Sequence, residues 1–334
     1  AANSGLITGT YAGIANNATI EGLANSGIIA EKDTQGEGYG INNQSTERIA
    51  HISNSGVIYG KTSAINNTAG GEIGSIYNNG ILATKGDSPI KDDGTITLTA
   101  NYGLEIAEAT GIVSNGSNYH PAGPPGVVFV GYNDVGYQIT RDLVIKNAVI
   151  QGGGTGIGTS TDSFEFLGAP NEFDNLILNG KNETLKVTGT DKEVKGSIIN
   201  AYGTAVIFEG TDGQLTLSGT IVNGGVDEEN KITVSGSGAG DTLILQSGEV
   251  QYSGGKGTQN TIINGNIDMK AGDDTLTFDK ETIINGNIAM GADNDTLTAE
   301  AGSIINGSFD GGEGIDKLSL KSGAMVSGNI ATGS

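Results

Sequence analysis

The chain has 334 residues and carries 38 acidic against 17 basic side chains, a formal net charge of −21. With only two arginines, Arg48 and Arg141, it lacks the clustered cations that bind phosphate, which excludes nucleic acid and disfavours an anionic membrane surface. It has no cysteine and two histidines, His51 and His120, against 57 glycines and 31 asparagines, so disulfide scaffolds, thiolate catalysis, Cys-ligated or His-rich metal sites and long helices are all excluded.

Residues 1 to 118 carry three short patterns in a fixed order. The first is Asn-Ser-Gly or Asn-Asn-Gly followed by two aliphatics: Gly5-Leu6-Ile7, Gly27-Ile28-Ile29, Gly56-Val57-Ile58 and Gly80-Ile81-Leu82. The second is an Ile before paired asparagines, at Ile14, Ile41 and Ile65, with a degenerate copy at Ile90. The third is an aliphatic pair three apart: Ile20/Leu23, Ile49/Ile52 and Ile73/Ile76. Gly5, Gly27, Gly56 and Gly80 mark how closely the copies follow one another, an interval in the range of a single solenoid coil.

Residues 119 to 173 break this pattern. They hold four of the five prolines and seven of the 17 aromatics. Proline cannot donate to a sheet ladder, so this stretch is expected to bulge out as an inserted loop or hairpin region. Tyr119, Phe129, Tyr132 and Tyr137 are the candidate binding residues there, because aromatic side chains, tyrosine above all, give contact area at small entropy loss. The competing reading is a small satellite core beneath the insertion.

Residues 174 to 334 repeat more strictly. Ile263-Asn264-Gly265, Ile284-Asn285-Gly286 and Ile305-Asn306-Gly307 are 21 residues apart, as are Asp274, Asp295 and Asp316. An earlier copy, Asp241-Thr242-Leu243, lies 33 residues before Asp274, which predicts about 12 extra residues in one coil near Tyr252 to Asn260. A unit this small cannot bury its own aliphatic patches and must stack on its neighbours. Short β-branched strands between Gly and Asn turns, at constant period, predict an all-β chain: a right-handed parallel β-helix (β-solenoid) with the insertion in its middle. Equivalent asparagines at a corner are expected to hydrogen-bond along the stack as a ladder.

The sharpest chemical motif is Gly311-Gly312-Glu313-Gly314-Ile315-Asp316-Lys317-Leu318-Ser319, which satisfies the calcium-binding nonapeptide pattern GGxGxDxUx. Asp274, Asp295 and Asp316 are therefore the candidate metal ligands. Stacked carboxylates repel and call either for a cation or for turn N–H donors. Calcium is the one ion considered, and no other cofactor is expected; the alternative is that each Asp caps its own turn. Gly86-Asp87-Ser88 resembles the nucleophile segment of trypsin-like proteases, but Pro89 stands where that family has Gly. Asp273-Asp274 is a candidate carboxylate pair for a β-helical polysaccharide lyase or hydrolase. No catalysis is expected, because a residue that recurs with the repeat is more often structural.

The stacked Asn-Ser-Gly-x-Ile and Ile-Asn-Gly-Asn-Ile coils, low aromatic content, lack of cysteine and acidic balance resemble the passenger regions of type V autotransporter adhesins of Gram-negative bacteria. The resemblance implies a surface-exposed extracellular stalk that attaches to host cells, other bacteria or itself, through a surface protein or glycan. It also implies export through, and anchoring by, an outer-membrane barrel that these residues do not include. No apolar run approaches the roughly 18 residues of a membrane helix, so this segment is not expected to insert. The alternatives are the glycan-cleaving β-helix and a calcium-dependent surface-layer subunit.

Overall fold

Among the described residues the aliphatic runs of the repeats form strands, and three strands make one coil. The computed structural model describes residues 1–32, 38–44, 46–107, 111–114, 138–139, 144–151, 164–166, 172–180, 183–226, 231–252 and 255–333. The chain divides into two compact units near residue 125. Both are parallel β-solenoids, and the described residues contain no helix.

In the first unit the three sequence patterns are the three sides of the coil. The Asn-Ser-Gly aliphatics form strands Leu6–Gly9, Ile28–Glu31, Val57–Gly60, Ile81–Thr84 and Leu104–Ala107 in one sheet. Within it Ile7, Ile29, Ile58 and Leu82 stand in register. The Ile before paired asparagines gives the second side, with Ile14, Ile41, Ile65 and Ile90 aligned. The spaced aliphatic pairs give the third, where Ile49 lies on Ile73 and Ile52 on Ile76. Ile29, Ile41, Ile49, Ile52, Ile58, Ile65, Ile73 and Ile76 are fully buried. Each contributes about 1.5 to 3 kcal/mol by leaving water, a gain that exists only once the next coil is in place.

The glycine of Asn-Ser-Gly is required by this stacking. A Cβ on Gly56 would lie 2.0 Å from the carbonyl oxygen of Gly27, and one on Gly80 2.1 Å from that of Gly56. Any side chain there would push adjacent coils apart. The asparagine two residues earlier binds the stack together: Asn3, Asn25, Asn54 and Asn78 each donate Nδ2–H to the Oδ1 of the next, ending on Asn101, at 2.7 to 2.9 Å. A second file runs Asn16 to Asn43 to Asn67 and ends on the carboxylate of Asp92, each bond 2.8 Å.

The second unit repeats this plan. One side is the stack Glu183–Val187, Thr204–Phe208, Ile232–Ser235, Asn266–Asp268, Ile288–Ala292, Phe309–Glu313 and Ile330–Ala331. The other two sides join formally into one sheet, because the nine-residue strand Glu172–Gly180 pairs with Lys192–Lys195 through its first half and Ile198–Ala201 through its second. Ile263, Ile284 and Ile305 stand directly over one another, at most 1 % exposed. Strands within the stretch read as an insertion belong to the stack: Gln138–Ile139 pairs in parallel with Phe164–Phe166, which pairs with Glu183–Val187.

The 33-residue coil also has its explanation. An antiparallel hairpin, Gly248–Tyr252 with Gly255–Gln259, leaves the coil between two normal strands. It occupies the 12 positions 248–259, the difference between 33 and 21. Register passes it undisturbed, with Leu245 on Phe278 before it and Ile221 on Ile262 after it.

Candidate functional site

Tyr119, Phe129, Tyr132 and Tyr137, the sequence candidates for binding, lie outside the described residues. The carboxylate candidates are all described, and the fold brings them together.

Asp274, Asp295 and Asp316 each precede an outer strand, at Thr275–Phe278, Thr296–Ala299 and Lys317–Leu320. Parallel register aligns those strands and so stacks the three carboxyl groups one per coil. The Oδ1 of Asp274 accepts the backbone N–H of Asp241 at 2.6 Å, that of Asp295 accepts Asp274 N–H at 2.8 Å, and that of Asp316 accepts Asp295 N–H at 3.0 Å. In these coils the carboxylate caps the neighbouring coil, which corrects the expectation that each Asp caps its own turn.

Asp241 is the fourth member of the file; in the sequence it marks the repeat and sits in a looser copy of the nonapeptide, Gly238-Ala239-Gly240-Asp241-Thr242-Leu243, outside the three candidate ligands. Its signal was the same Asp-Thr-Leu frame. Both its oxygens are satisfied: Oδ1 by Gly213 N–H at 3.0 Å and Oδ2 by Ser237 N–H, four residues upstream, at 2.7 Å. In the coils of Asp274 and Asp316 the corresponding N–H is drawn elsewhere. Lys270 N–H donates to Asp268 Oδ1 at 3.1 Å, and Gly312 N–H donates to Asp310 Oδ1 at 3.2 Å. The Oδ2 atoms of Asp274, Asp295 and Asp316 are buried with no hydrogen-bond partner.

Electrostatics follow from this geometry. Burial pushes the Asp274 carboxyl up to about 8, opposed by the Asp241 N–H and reinforced by the charges of Asp295, Asp241 and Asp273. Burial raises Asp295 to about 6, opposed by the Asp274 N–H and aided by Asp316, Asp273 and Asp293. Asp273 and Asp293, in contrast, are exposed at the turn, where they accept N–H bonds from Asn294 and Gly272 in neighbouring coils at 2.9 and 3.2 Å. Among the described residues no three His, Asp or Glu side chains gather as a metal cage.

The protease-like segment does not assemble. Ser88 Oγ donates to the carbonyl of Ile90 at 2.7 Å, while His51 Nδ1 meets Ser75 Oγ at 2.8 Å on the adjacent coil. No family model, curated protein or solved structure matches the chain.

Proposed function

We propose that the chain is an extracellular adhesive stalk, the passenger of a bacterial cell-surface autotransporter, with its binding determinants on segments that leave the coils. The observation that carries this reading is the hairpin at 248–259. This excursion is accommodated while the strands on either side keep their register, so the scaffold can present a variable surface without remodelling its core. Partners of this reading are a surface protein or glycan of a host or bacterial cell, and other copies of the chain. The acidic charge makes such contacts salt-dependent.

The test is a glycan and protein binding array probed with the intact chain, a chain lacking residues 119–137 and a chain lacking residues 248–259. A defined ligand set lost from one deletion, with an unchanged β-sheet circular dichroism spectrum, supports the reading. Release of reducing ends from acidic polysaccharides incubated with the chain overturns it in favour of catalysis, and an array with no ligand together with a strictly monomeric chain overturns adhesion.

A further inference from the structure

A carboxylate oxygen buried without a donor is among the least favourable groups a protein interior can hold, and here three of them follow one another at successive coils. Asp274 and Asp295 are 1 % and 2 % exposed, with Oδ1 committed to the preceding coil and Oδ2 partnered by nothing. Asp241 shows what the file looks like when hydrogen bonds suffice, since Ser237 N–H closes its Oδ2. Asp268 and Asp310 take the equivalent N–H groups in their own coils, leaving the file short of donors where it is longest.

We propose that the gaps between Asp274 and Asp295 and between Asp295 and Asp316 each hold a hard divalent cation of calcium's size, bridged by the Oδ2 atoms of consecutive coils. Coils in a parallel stack are about 4.8 Å apart, so an ion midway between equivalent oxygens sits about 2.4 Å from each, within the calcium–oxygen range. Two carboxylates per ion, and not three around one point, is the arrangement the stack offers. The binding is independent of whether the chain is adhesive.

Calorimetric titration of the EDTA-treated full chain with calcium chloride, paired with thermal melts, tests this. Saturable binding and a raised Tm are expected. Asp295→Asn, which sits between both gaps, removes the binding, and Asp316→Asn removes one of the two ions. Asp293→Asn, at the exposed turn, leaves the binding intact. No heat and no shift in Tm at millimolar calcium overturns the proposal. So does a folded Asp295→Asn chain that still binds, or equal loss in Asp293→Asn and Asp295→Asn, which would assign the ion to the turn surface. Should Asp295→Asn fail to fold, Asp316→Asn and the wild-type titration decide the question.

Discussion

The asparagine files and the aspartate file occupy comparable places in their coils and differ by a single group per side chain, yet one is complete and the other is not. An amide carries a donor and an acceptor, so each Asn satisfies the next without limit. The first unit runs four such bonds from Asn3 to Asn101. The second runs five, from Asn306 through Asn285, Asn264, Asn223 and Asn200 to Asn179, each 2.7 to 2.8 Å and with the donors pointing the opposite way along the chain. An ionised carboxylate only accepts. It can terminate an amide file, as Asp92 does for Asn67, but it cannot propagate one. A row of them must borrow donors from the backbone, and the backbone has one N–H per residue to lend. Self-complementarity, more than polarity, decides what can be stacked inside a solenoid.

The most damaging way to probe this contrast is to write a carboxylate into an amide file. Asn223→Asp places an acceptor where Asn200 now receives a donated hydrogen, at a fully buried position. A loss of about 3 to 5 kcal/mol is expected in urea unfolding at pH 8, partly recovered in mild acid. A loss under about 1 kcal/mol would break the argument. Ile284→Ala, in the buried Ile column beside the file, should cost about 2 to 4 kcal/mol through its cavity, with no dependence on pH.

The natural aspartate file predicts a smaller effect that pH controls. Asp274 and Asp295 carry folded values of about 8 and about 6 against an ordinary 3.8, so the folded chain holds protons that the unfolded chain has released. Stability in calcium-free buffer should therefore be greatest near pH 4 and fall as pH rises toward 8. Melts should show Tm several degrees lower at the alkaline end, and Asp274→Asn should flatten the profile. A Tm that rises over this interval would reverse the sign. The mildest change is deletion of residues 248–259, which returns this coil to the length of those that follow it. Unfolding free energy should fall by about 1 to 2 kcal/mol, because the shorter loop closure only partly offsets the loss of the buried Val250 and of the bond from Gln259 Nε2 to the Gly219 carbonyl.

The legible and illegible parts of the molecule divide along the same lines. Ile263, Ile284 and Ile305 announce their column through a strict spacing, and the register confirms it residue for residue. The three N-terminal patterns announce three sides of a coil in the same way, as does the surplus between Asp241 and Asp274 that became the hairpin. Asp274, Asp295 and Asp316 announce their alignment but not their environment. Flanked by Gly, Asp and Asn, they read as solvent-facing turn residues, whereas Asp274 and Asp295 are buried. Ser237, Lys270 and Gly312 determine which carboxylates are satisfied, and nothing in their residue types advertises it, because a backbone N–H looks the same in every residue except proline.

Periodicity alone therefore determined that equivalent side chains meet: a coil this short cannot shelter its aliphatic patches, and the only surface that matches them is the same coil repeated. What only the folded arrangement decided is the destination of each individual hydrogen. That choice depends on angles within a turn and on a competing acceptor nearby in the chain, as at Asp268 and Asp310, and such contests are settled by small displacements that a repeat length does not encode.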